Sequence, residues 1–501
     1  MAGPAGVVHD DLKKILAASD SLGLTVNAAK CEIFTIQSQG SSALSQETCR
    51  VLEEIKSDAP GIKELNAANL LLLGAPILEE AIDGVLEAKL DDLKRMTDRL
   101  SSIDAHDALF LLKNCYAIPK LTYFLRCAPT FKSAVLRQYD KEIHSCLQNI
   151  LNVELHEQAL LQSSLPVKKG GLGIYMATDL SLPAFLSSAC GAKKTAASLL
   201  PECIDTEEYH HLIEAKNAWI ELLNNNVEQP PTNETVQALW DGPLHEKKYQ
   251  DLLVDQPPPE KARLLAVASE HSSDWLNAVP VPALGLKLDD ISLRIACALR
   301  LGCNICQPYK CICGNLVDST GRHGLSCKNA KGTFPRHQQV NDLIKRALRS
   351  AQTSAVLEPP GLSRRDGKRP DGLTIYPWAR GRCLVWDYTC RDTMAQSNIQ
   401  VSSQGAAKLA SKAESDKVSH YIDLASNFII QPIATETLGS WGPSGLKFIT
   451  EVGQRIAENT GEKRSCSYLF QSISMAVQRG NVASIRGSLP NDKLLSEIFY
   501  L

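Results

Sequence analysis

The 501-residue chain has no excess of either charge; its formal net charge is −3. That excludes a protein basic over its whole surface, so any nucleic-acid contact must come from a local patch. Long hydrophobic runs are lacking too. The strongest, ANLLLLGAPIL, falls well short of the roughly 20 apolar residues that span a bilayer. The first residues, MAGPAGVVHDDLKK, lack the basic-then-apolar order of a secretory leader. The 16 cysteines are therefore expected to be reduced thiols in an intracellular compartment. No internal repeat is visible. With 44% hydrophobic and 22% charged residues the composition is globular, and the length suggests about two to four domains.

Residues 1 to about 220 read mostly as helices. KLDDLKRMTDRLSSI and AVLRQYDKEIHSCLQNILNV carry apolar residues at three- and four-residue spacing. VNAAKCEIFTI and the run near Leu71 suggest short strands. Asp10 and Asp11 fall in a helical pattern and read as solvated. NNNVEQPPTNET and VDQPPPE, between Asn224 and Pro259, are polar and proline-rich and read as linker or exposed loop. DDISLRIACALRLG is a helix leading into a cysteine cluster. PRHQQVNDLIKRALRSAQ is another, with Val340, Leu343, Ile344, Ala347 and Leu348 on one face. AVLEP predicts a strand, and GAAKLASKAESDKVSHYIDLAS and YLFQSISMAVQRGNVASI predict helices.

The cysteine cluster is CICGNLVDSTGRHGLSC. Cys311, Cys313, His323 and Cys327 offer three thiolates and one imidazole, the soft tetrahedral donor set that zinc prefers. Gly314 and Gly321 permit the turns that bring the two halves together. Cys303 and Cys306 form a second pair just upstream and compete for the same role.

In RPDGLTIYPWARGRCLVWDYT, GLTIY alternates like a strand, PWARG carries the proline and glycine of a turn, and RCLVWDYTC is β-branched and aromatic. A hairpin would bring Asp371 and Asp387 face to face. Two such carboxylates repel unless a cation stands between them, which suggests Mg²⁺. The alternative is that Asp371 caps a turn and Asp387 pairs with an arginine. Glu358 is a possible third acid, or a solvated strand-end residue. Arg364, Arg365, Lys368 and Arg369 concentrate positive charge just before Asp371, which suits a DNA backbone but also an ordinary solvated loop.

A Cys/His knuckle, then a helix bearing Arg336 and His337, then RPDG and WDYT, resembles the tail of certain non-LTR retrotransposon proteins. In these a zinc knuckle precedes a restriction-like endonuclease of the PD-(D/E)XK class. The resemblance covers roughly residues 303 to 425. It implies that Asp371 and Asp387 hold catalytic Mg²⁺. Thr389 stands where the class normally has its lysine, so the match is to the variant that takes Lys and Tyr from the following helix. Lys417 and Tyr421 fit that variant, and Lys412 is a rival to Lys417. Arg336, His337 and the basic loop would contact nucleic acid.

The front of the chain points the same way. SLGLTVNAAKCEIF, LLGAPI, IPKLTYFLR and LPVKKGGLGI resemble the late palm, primer-gripping and thumb segments of a reverse transcriptase. The chain starts after the segment in which that resemblance would place the catalytic Asp pairs, so DNA synthesis by this chain is not expected.

The fold class expected is mixed: a largely helical front half and an α/β nuclease-like rear half with a zinc knuckle. The divisions are 1–90 palm remnant, 91–220 thumb-like helices, 221–285 linker and connecting helices, 286–332 helix and knuckle, 333–435 endonuclease and 436–501 C-terminal helices. The implied activity is Mg²⁺-dependent DNA nicking in the nucleus, with DNA and element RNA as partners, structural zinc and no membrane. Two alternatives are an inactive zinc-containing nucleic-acid-binding remnant, and part of an active reverse transcriptase whose upstream exon is missing.

Overall fold

Leucines spaced three and four apart give the helix Ile82–Leu100, which buries Leu86, Leu90 and Leu93 along one face. That face packs on the helix Val135–Leu151, whose own apolar stripe includes Ile143, Leu147 and Ile150. The helices Ile118–Cys127 and Ala177–Leu199 pack beside them. These elements belong to a computed structural model that describes residues 1–36, 44–199, 209–223, 229–362 and 369–490. The architecture is mixed, largely helical with small sheets. Among the described residues no helix is long and apolar enough to cross a membrane.

The helical core runs on without a break through the helix Asp290–Leu301 into the cysteine segment. Two buried arginines seal the join. Arg300 donates to the carbonyls of Val167 (2.9 Å) and Gly171 (3.0 Å), and Arg263 donates to Gln162 Oε1 (2.8 Å) and to the carbonyl of Arg300. Burial pulls Arg300 down to about 9, and the carbonyls supply the acceptors that a desolvated guanidinium requires.

The two proline-rich stretches expected as linker or exposed loop carry no helix or strand over the described residues 229–236 and 254–257, but the segment between them is not linker. It contains the helix Gln237–Leu253, and Trp240 on that helix is wholly buried. Its ring meets Trp219 edge-on, with centroids 5.0 Å apart, and the Trp219 indole donates to the Trp240 carbonyl at 3.1 Å.

The rear half is built on a four-stranded sheet. Its order is Ile429–Glu436, Leu384–Arg391, Gly372–Thr374, Ala355–Leu357. The first two strands are parallel and the remaining pairs antiparallel. Side chains alternate across the sheet. One face, with Trp386, Tyr388 and Ile433, packs with the helices Thr333–Ser350, Pro443–Thr460 and Ser465–Arg486 in a single core. The other face, with Ala434, is covered by Ala410 and Ala413 of the helix Lys408–His420. The sheet core therefore continues across position 436, and the C-terminal helices belong to it. The strand Ile429–Glu436 was not anticipated, whereas the helix Pro443–Thr460 falls in the segment expected to be helical. Pro432 makes the strand look broken, yet an edge strand needs no N–H on its open side.

Candidate functional site

The four metal-type ligands come from one small knuckle. Tyr309–Lys310 pairs antiparallel with Leu316–Val317, and Gly314, at φ +90°, turns between them while its N–H donates to the Cys311 carbonyl at 2.8 Å. Gly321, at φ +66°, turns the chain again, so that the short helix His323–Ser326 brings His323 and Cys327 back. One donor atom from each of Cys311, Cys313, His323 and Cys327 lies within 4.8 Å of the others. Cys313 Sγ is 3.2 Å from His323 Nε2, and Cys311 Sγ is 3.6 Å from Cys327 Sγ. The cluster can hold a metal such as zinc. Cys303 and Cys306 stay outside it. Burial pushes their thiols up to about 11 and about 12, and Cys306 Sγ points at the carbonyls of Asp318 (3.4 Å) and Ser319 (3.5 Å).

The hairpin joins Gly372–Thr374 to Leu384–Arg391 with Gly372 opposite Trp386. One step on, the same register sets Asp371 opposite Asp387. The Asp371 N–H donates to the Trp386 carbonyl at 3.1 Å, and the Tyr388 N–H donates to Asp371 Oδ2 at 2.7 Å. Gly372 is there for close approach: a Cβ at this position would lie 2.0 Å from Trp386 Cζ2.

Both carboxylates are largely buried and their affinities for protons are driven apart. Burial and the neighbouring Asp371 charge raise Asp387, against Lys417 and Tyr421, which lower it. For Asp371 burial is the largest effect but is outweighed by His337 and the Tyr388 N–H, so it is lowered. Lys417 Nζ reaches Asp387 Oδ2 at 2.9 Å, and the Tyr421 side chain also favours the ionised form of this carboxylate. Lys412 is exposed and follows a different direction from the helix, so Lys417 is the lysine that the fold delivers.

His337 is the residue whose place at this site the sequence reading missed. It was expected at a nucleic-acid surface, but its Nε2 lies 3.1 Å from Asp371 Oδ2, and it forms a compact group with Asp371 and Asp387. Burial opposes its protonation, yet the hydrogen bond to Asp371 and the charges of both acids raise it. Its neighbour Arg336 corrects an expectation. It is buried and donates to Asn481 Oδ1 at 2.7 Å, so its charge ties two helices together instead of facing solvent. Glu358 is exposed and pairs with Arg369; it does not join the acids. Arg364, Arg365 and Lys368 lie outside the described residues. A further group, His210, His211 and Glu214, already has Lys132 Nζ 2.6 Å from Glu214, which neutralises the carboxylate without a metal.

Two carboxylates that share a space, with a lysine and a phenol on one of them, suit the binding of a hard cation and of an anionic oxygen beside it. No protein-family model matches the sequence, and no curated protein matches it.

Proposed function

We propose that the rear half of this chain is a divalent-cation-dependent endonuclease that hydrolyses phosphodiester bonds in DNA, attached to a front half derived from a reverse transcriptase. The observation that carries this reading is the meeting of Asp371 and Asp387 across the hairpin, with Lys417 Nζ 2.9 Å from Asp387. Asp371 and Asp387 would hold the cation, which supplies positive charge against the phosphate. Asp371 accepts both the Tyr388 N–H and His337 on Oδ2, which leaves Oδ1 for the cation. Lys417 is about one-quarter exposed, so its ammonium can reach a phosphate oxygen while still touching Asp387. It would stabilise the charge that builds in the transition state. Tyr421, almost fully buried, would help keep Asp387 ionised. The Cys/His knuckle would hold structural zinc, and Arg369 with the adjacent basic loop would contact the DNA backbone.

The test is supercoiled plasmid incubated with the purified full chain. Conversion to open circles with Mg²⁺, and none with EDTA, is the expected result. DNA binding without conversion in Mg²⁺ or Mn²⁺ would replace the nuclease with a binding protein.

A further inference from the structure

His337, Asp371 and Asp387 together look like a three-ligand cation site. The hydrogen bonds behind them say otherwise. Trp386 is wholly buried, and its indole Nε1 lies 3.0 Å from Asn341 Oδ1. An indole N–H can only donate. The Asn341 amide must therefore turn its oxygen to the indole and its nitrogen the other way. That nitrogen lies 3.2 Å from His337 Nδ1. An amide nitrogen also only donates, so Nδ1 must accept. The proton of the neutral ring is then on Nε2. Nε2 meets two acceptors, Asp371 Oδ2 at 3.1 Å and the Tyr388 carbonyl at 3.2 Å. A nitrogen carrying this proton has no lone pair for a cation.

We infer that His337 is a positioning residue that holds Asp371 through Nε2–H, with its tautomer set by a Trp386–Asn341 relay, and that it is not itself a ligand of the cation. The proposal deepens the nuclease reading and rests on it for the role of Asp371, but the tautomer stands independently. The relay runs from the hydrophobic core to the site. Trp386 is the side chain that Gly372 accommodates, so the strand pairing that brings the acids together also fixes the proton of the histidine. The Tyr388 N–H and His337 Nε2–H both occupy Asp371 Oδ2 and orient the carboxylate without displacing a cation from Oδ1. This is the arrangement by which outer partners orient a metal ligand.

The experiment uses the full chain labelled with ¹⁵N at histidine, at a pH where His337 is neutral, with its signals assigned by their loss in His337→Gln. A protonated Nε2 and an unprotonated Nδ1 are expected in the parent, and a protonated Nδ1 in Asn341→Asp, which offers Nδ1 an acceptor while Nε2 still faces Asp371 and the Tyr388 carbonyl. An Nδ1–H tautomer in the parent overturns the inference. This readout decides the tautomer even if the parent never nicks DNA, an outcome that would count against the nuclease reading alone. A calorimetric Mg²⁺ titration separates positioning from ligation: His337→Gln should keep its affinity within about threefold, while Asp371→Asn loses it. Equal loss in the two overturns the inference. In nicking, His337→Gln, which keeps an N–H donor, should stay within about threefold of the parent kcat, whereas His337→Leu should fall at least about tenfold with KM for DNA little changed. A fall as large in His337→Gln as in His337→Leu contradicts it.

Discussion

Gly372 shows what a single hydrogen atom secures at this site. An alanine there would put its Cβ 2.0 Å from the Trp386 ring, and neither the paired strand nor the buried indole can yield cheaply. Gly372→Ala should cost about 1–3 kcal/mol in urea denaturation. It should also slow nicking, because Trp386 holds Asn341. Lys417 acts through its charge. Its proposed contact strengthens as charge develops, so Lys417→Ala should lower kcat by roughly 10²-fold and leave KM for DNA within a few-fold. A change confined to KM would make Lys417 a binding residue. The facing of the two acids was legible in the sequence because strand alternation and a turn are local signals, whereas Lys417 was suggested only by the family resemblance, its four-residue spacing from Tyr421 putting both on one helical face. His337 was legible only as a charged helix residue. What it does is decided by Asn341 one turn further along the same helix and by Trp386 on another strand, and no local pattern encodes that relay.

The knuckle is tied to the rest of the rear half through the last helix. The Tyr309 hydroxyl lies 2.6 Å from Ser488 Oγ, and the Ile312 N–H donates to the Ser488 carbonyl at 3.2 Å. Gly332 lies so close to the Ser465–Arg486 helix that a Cβ would be 2.1 Å from the Ser484 nitrogen. Further up that helix, Asn481 receives Arg336, the neighbour of His337. About one zinc per chain is expected, lost in the Cys311→Ser, Cys327→Ser double variant and unaffected by Cys303→Ser, as atomic absorption would show. Zinc retained in the double variant would refute this ligand set. Chelation should speed amide exchange in Ser465–Arg486 and leave Ile82–Leu100 unchanged. The helices were readable from apolar spacing. The Ile429–Glu436 strand was not, because its proline is harmless only at a sheet edge, a fact of topology. Trp240 was missed for a related reason: a single buried indole among polar letters has no period.

Over the whole chain, one continuous core joins the front helices to the knuckle, and His106 makes that junction sensitive to acid. It is 3% exposed, and its Nδ1 accepts the Leu288 N–H at 2.9 Å, which requires the ring to be unprotonated there. Burial, helped by the charges of Lys287 and Arg479, pulls it down to about 4. The unfolded chain takes up this proton near pH 6.5, whereas the folded chain refuses it until about 4. The contribution is thus complete above pH 6.5 and is lost as pH falls toward 4. At pH 5 it should cost the parent about 2 kcal/mol relative to pH 7.5. Urea midpoints for the parent and His106→Gln should show this loss only in the parent; equal acid sensitivity would remove His106 as the cause. The proposed nuclease activity is likewise a property of the assembled chain. Its most direct measurement is the Mg²⁺-dependent plasmid-nicking rate of Asp371→Asn and Asp387→Asn beside the parent, with circular dichroism to show that each variant is folded. The account predicts folded variants whose nicking falls by at least about 10³-fold; folded variants that nick as fast as the parent would contradict it.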